Sequence, residues 1–152
     1  MPVAVQPKFQ RQVSSVLSGN VVLKVYPETA GRSAAALNVA APSSIVQKVT
    51  VQLEDSNGNL LNLLTGFDID ASVAVNFQGD ADPSSPTLSD ATPAVVNGIA
   101  TFNVTYDTNT NIAQKVYTEG DTITVTVSTK SGTVLEDAYV AADATYIDTI
   151  IA

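Results

Sequence analysis

The sequence predicts an all-β fold, two sheets packed as a sandwich, with an extended arm in front. The first observation is the stretch from Ile45 to Phe77. There Val49, Val51 and Leu53 alternate with Lys48, Thr50, Gln52 and Glu54, and Ile69, Ala71, Val73, Val75 and Phe77 alternate with Asp68, Asp70, Ser72 and Asn76. Successive strand side chains point to opposite faces, so each run reads as a strand with one buried and one wet face. The second observation is the turn chemistry: Asp55-Ser56-Asn57-Gly58 and Asn97-Gly98 carry Asn-Gly pairs, which accept positive φ at little steric cost. The third is composition. Val, Thr, Ile and Ala dominate while Leu, Glu and Lys are sparse, which favours strand over helix.

In chain order, residues 1 to 20 read as the arm. Pro2 and Pro7 disfavour helix and push the residues before them toward extended geometry. Val3, Val5, Phe9, Val13, Val16 and Leu17 are too apolar for a solvated tail and need a cover. Gly19-Asn20 is a turn, and Val21 to Tyr26 a strand ended by Pro27. Ala35 to Ala41 is Ala-rich, but Leu37 and Val39 alternate and Pro42 stops the run, so a short strand is expected. Leu60 to Leu64 reads as a short strand or a crossing segment.

Gln78 to Ala94 holds three prolines in a Ser/Asp/Gly background and reads as a long surface loop, a place where recognition or a simple solvated insertion can sit. Val95 to Tyr106 is a hairpin arm, with Ala100, Phe102, Val104 and Tyr106 on one face. Ile112 to Tyr117 is a further short strand. Glu119-Gly120-Asp121 turns the chain into Thr122 to Thr129, whose Ile123, Val125 and Val127 face inward. Val134 to Leu135 and Ala138 to Ile147 close the set, and Ile150-Ile151-Ala152 is again too apolar for a free tail. About eight to ten short strands with turns every 8 to 12 residues is the pattern of an immunoglobulin-like β-sandwich. The expected organisation is an arm over 1–20 and a sandwich over 21–152.

The motif order resembles bacterial immunoglobulin-like domains of the invasin/intimin type. Such repeats pair a V-V-L-D-x-x-G-N strand and turn with an N-G-x-A-x-F-x-V strand and a closing G-x-x-x-V-x-V strand. The counterparts are Val49 through Asn59, Asn97 through Val104, and Gly120 through Val127. The resemblance covers roughly residues 45 to 129. The sequence departs from adhesins in having one copy rather than a tandem array, and in showing no leader, anchor or cell-wall signal. Standalone domains of this look, with apolar arms, are similar to decoration and accessory proteins of tailed-phage virions, so the resemblance implies a structural role.

Charge and composition exclude several classes. The net charge of −8 argues against nucleic-acid binding. Residues 1 to 53 carry five cations against Glu28 alone, a net +4, and residues 54 to 152 carry two cations against fourteen acids, a net −12. A basic front and an acidic body fit docking between subunits, although so few charges can also fall unevenly by chance. Only 14% of residues are charged, below the usual quarter, which suits either a protein that lives against other protein surfaces or a plain extracellular β domain. MPVAVQPKFQRQVSSVL does not read as a signal peptide, and no run of about 18 apolar residues is present to span a membrane as a helix.

With neither His nor Cys, Ser-His-Asp and Cys-His catalysis, disulfides and thiolate metal sites are ruled out, and the usual zinc and copper ligands are missing. No Gly-rich phosphate loop occurs. Calcium is the one ion worth weighing, because it takes six to eight oxygens. Asp80, Asp82 and Asp90 share one loop, and Glu54-Asp55 and Asp68/Asp70 are further carboxylate groups, but the spacing matches no calcium-binding repeat, so solvated turn acids are expected. The sequence therefore points to a non-enzymatic protein without cofactor or metal, on a virion or extracellular surface, bound to other protein subunits and to copies of itself. Val3, Val5, Phe9, Arg11, Val13 and Leu17 are the expected partner-binding residues, with residues 148 to 152 as a possible second contact. The alternatives are a surface adhesin or carbohydrate-binding module using the 78–94 loop, or a subunit of a cell-surface filament.

Overall fold

The computed structural model describes residues 21–28, 32–38, 44–78, 85–107, 117–130 and 143–152. These form nine strands and one helical turn. The strands are β1 (Val22–Pro27), β2 (Arg32–Ser33), β3 (Ser44–Glu54), β4 (Phe67–Asn76), β5 (Thr87–Leu88), β6 (Ala94–Val95), β7 (Ile99–Asp107), β8 (Thr122–Thr129) and β9 (Ala144–Ile151). The helical turn, α1, is Ala34–Leu37. One sheet has the order β1-β3-β7-β5 and the other β2-β9-β8-β4-β6. All pairings are antiparallel except β2 with β9. The all-β expectation holds.

The alternation seen in the sequence sets the faces. Gln47, Val49, Val51 and Leu53 of β3 are buried, as are Ile123, Val125 and Val127 of β8, while their neighbours face outward. Inward residues of both sheets, among them Phe102, Val104, Ile69 and Ile150, join one hydrophobic cluster. Fully burying one such side chain is worth about 1.5–3 kcal/mol, so a core of this size needs no covalent cross-link. The two Asn-Gly sites behave as expected. Asn97 and Gly98 both have positive φ, 52° and 78°, the signature of a tight hairpin turn, and Gly58 sits at 86°.

Four expectations change. The Ala35–Ala41 strand is replaced by α1, in which the Asn38 N–H donates to the Ala34 carbonyl. Alanine is the best helix former, and a single turn is enough to swing Leu37 into the core. The Leu60–Leu64 stretch is a crossing segment: only Leu60 pairs, with Glu54, before the chain passes to β4. Within the 78–94 loop, Ser85 to Ala94 is built into both sheets, because β5 pairs with β7 and then Ala91 and Pro93 accept hydrogen bonds from the Ala71 and Ile69 N–H groups of β4. The proline-rich segment thus switches sheets. Finally, 148–152 is no free contact, since β9 runs to Ile151 and both Asp148 and Ile150 are buried. Strand pairing satisfies this backbone within its own fold. The expected strands at 112–116, 134–135 and 138–142 lie outside the described residues.

Candidate functional site

The expected partner-binding residues, Val3, Val5, Phe9, Arg11, Val13 and Leu17, lie outside the described residues, as do Asp80 and Asp82. What is visible is the root of the arm. Val21 is fully buried, and Val22 pairs with Glu54 at the end of β3. The arm is therefore hinged on a core residue at one end of the fold.

That same end carries an apolar surface. Residues 60–66 wrap the β6–β7 hairpin: the Gly98 N–H donates to the Leu64 carbonyl at 2.7 Å, and the Gly66 N–H donates to the Val95 carbonyl. Leu61 and Leu64 turn inward and are buried. Leu60, Leu63 and Val96 remain 37%, 38% and 57% exposed around the same hairpin. The wrapping is tight enough to require glycine at position 98, where a Cβ would stand 2.5 Å from the Leu61 carbonyl oxygen. The sequence signal for this surface was the LLNLL run between two strands, with more leucine than a short crossing can bury. Sequence reasoning did not single it out, because a strand pattern assigns faces within a sheet and says nothing about its ends.

The described acids serve the fold. Asp55 accepts from the Asn57 and Asn59 N–H groups at 2.8 and 2.9 Å and from the Asn59 side chain at 3.0 Å. The Asn59 backbone bond first, then its side chain, holds this carboxyl below the usual aspartate range despite a small opposing effect of desolvation. Asp90 accepts from the Thr92 N–H, and Asp68 pairs with Lys130 at 3.3 Å on the surface. Among the described residues no three acidic side chains come together as metal ligands.

Glu54 is buried and receives the Tyr26 hydroxyl at 3.3 and 3.4 Å. Desolvation first, then the Glu54 charge and the hydrogen bond to it, pushes the Tyr26 phenol up.

Three polar groups invisible to sequence reasoning organise the opposite end. Asp121 is buried and accepts from the Gln78 N–H at 2.6 Å and the Thr118 N–H at 2.8 Å. Asn38 binds both peptide groups of Tyr117, donating to its carbonyl at 2.7 Å and accepting from its N–H at 2.8 Å, as a paired strand would. Asp148 accepts from the Tyr106 hydroxyl at 2.6 Å. These satisfy buried backbone and side-chain groups, which is a structural duty.

No family model matches the chain, and neither a curated protein nor a solved structure matches it.

Proposed function

We propose that the chain is a non-enzymatic structural protein of an extracellular assembly, a phage capsid decoration or accessory virion protein anchored through residues 1–20. The body on this reading is an immunoglobulin-like sandwich. Strand order supports that: with β1, β3, β4, β5, β7, β8 and β9 lettered A to G, the sheets read A-B-E-D and G-F-C, the constant-type immunoglobulin arrangement. Fold alone gives no function.

The observation that carries the functional reading is the junction. Six sizeable apolar residues, with Lys8 and Arg11 and no acid, stand directly before a fully buried residue of an edge strand. Such a segment is positioned by the body and is too apolar to be an inert linker. The body's surface adds support. Outward positions Ser72, Ala74 and Asn76, Thr122, Thr124 and Thr126, and Thr145, Ile147 and Thr149 of three neighbouring strands are uncharged, with Ile147 59% exposed.

Deleting residues 1–17 tests the reading. The melting temperature of the isolated protein stays nearly unchanged, and incorporation into the native particle is lost. A truncated protein that incorporates at normal affinity removes the arm hypothesis and leaves the adhesin or carbohydrate-binding reading in its place.

A further inference from the structure

We propose that the hairpin end of the fold is the acceptor for residues 1–20 of a second copy, and that the exchange is reciprocal, closing a two-fold pair. This rests on the reading of the arm as a neighbour-binding segment and names the neighbour.

Four observations converge. The surface around Leu60, Leu63 and Val96 is exposed and apolar, and apolar side chains of residues 1–20 require a cover. The arm is rooted beside that surface: Val22 pairs with Glu54, and Glu54 pairs with Leu60. β1 runs from this end into the fold, so the chain before Val21 enters from the side where a second copy, placed end to end, would stand. Covering its own acceptor would require the chain to reverse, whereas an apposed copy lies straight ahead. At up to ~3.3 Å per residue, twenty residues reach well across such a contact.

Charge is complementary. The described charges at this end are Glu54, Asp55, Asp68 and Asp143 against Lys130, whereas residues 1–20 carry Lys8 and Arg11 and no acid.

Symmetry follows from placement. A donor and an acceptor at opposite ends make a head-to-tail contact that propagates into an open chain or a ring. A donor and an acceptor at the same end let each copy give an arm and receive one, which is the self-complementary geometry of a closed dimer.

The test uses the full chain. Sedimentation across a range of concentrations is expected to give a dimer that weakens with added salt, because the Lys8 and Arg11 contribution is screened. Leu63→Asp and Val96→Asp, at exposed positions, keep the fold by circular dichroism and weaken the dimer about tenfold or more, about 1.4 kcal/mol or above. A photo-crosslinker at position 63, in a mixture of isotopically light and heavy chains, joins residues 1–17 of one chain to position 63 of another. A monomer throughout, crosslinks within one chain or to another segment, or open-ended oligomers would each overturn the proposal. Particle incorporation separates the two readings. A monomeric chain that still needs residues 1–17 to incorporate loses the pair and keeps the arm. A dimer whose arm-deleted form incorporates normally keeps the pair and loses the anchor.

Discussion

The Tyr106 hydroxyl donates to the Asp148 carboxylate at 2.6 Å, and both residues are buried. Tyr106 belongs to β7 in one sheet and Asp148 to β9 in the other, so a polar bond ties the two sheets inside an apolar core. Tyr106→Phe keeps the ring and removes the donor, which is expected to cost about 1–3 kcal/mol in urea unfolding. Tyr106→Phe combined with Asp148→Asn costs less than the sum of the two single changes, because both remove the same bond. Strict additivity would show that the pair is not coupled.

Asp121 offers a second buried carboxylate with a different duty. It accepts backbone N–H groups from Gln78 and Thr118 and so joins the end of β4 to the turn before β8. Asp121→Ala strands two N–H donors, at about 1–3 kcal/mol each if both stay dry. Asp121→Asn keeps one acceptor oxygen and falls between. Thermal melts of the three proteins should rank in that order.

The two Asn-Gly turns make different demands on their glycines. At Gly58 a Cβ would meet nothing within 4 Å, so Gly58→Ala carries only the left-handed backbone penalty, about 1–2 kcal/mol. At Gly98 the same change also drives a Cβ into the Leu61 carbonyl. Gly98→Ala is therefore expected to destabilise clearly more than Gly58→Ala, and equal melting temperatures would contradict the wrapped hairpin.

Asp55 gives an acid-limb prediction. Its folded carboxyl titrates below the ordinary aspartate value, so it contributes stability that is present above that ordinary value and is lost as pH falls through the folded one. Unfolding free energies measured by urea from neutral to acid pH should fall less steeply for Asp55→Asn than for the parent chain. Parallel curves would show that the Asn57 and Asn59 hydrogen bonds do not favour the charged form.

The sequence by itself determined the strands, their inward faces and their tight turns. Val49, Val51 and Leu53, or Ile123, Val125 and Val127, declare a buried face because alternation is a local property of extended chain, and Asn97-Gly98 declares a turn because positive φ is a local demand. Only the tertiary structure decided the rest. Ala34–Leu37 became a helical turn once Leu37 had a core to fill, and Ser85–Ala94 became a sheet-switching segment once β4 and β7 stood ready to bond its backbone. Asp121, Asp148 and Asn38 gained their partners across 43, 42 and 79 residues of chain. Leu60, Leu63 and Val96 stayed outside while Leu61 and Leu64 went in. Each of these outcomes depends on which distant groups arrive at the same place, and periodicity along the chain carries no record of that.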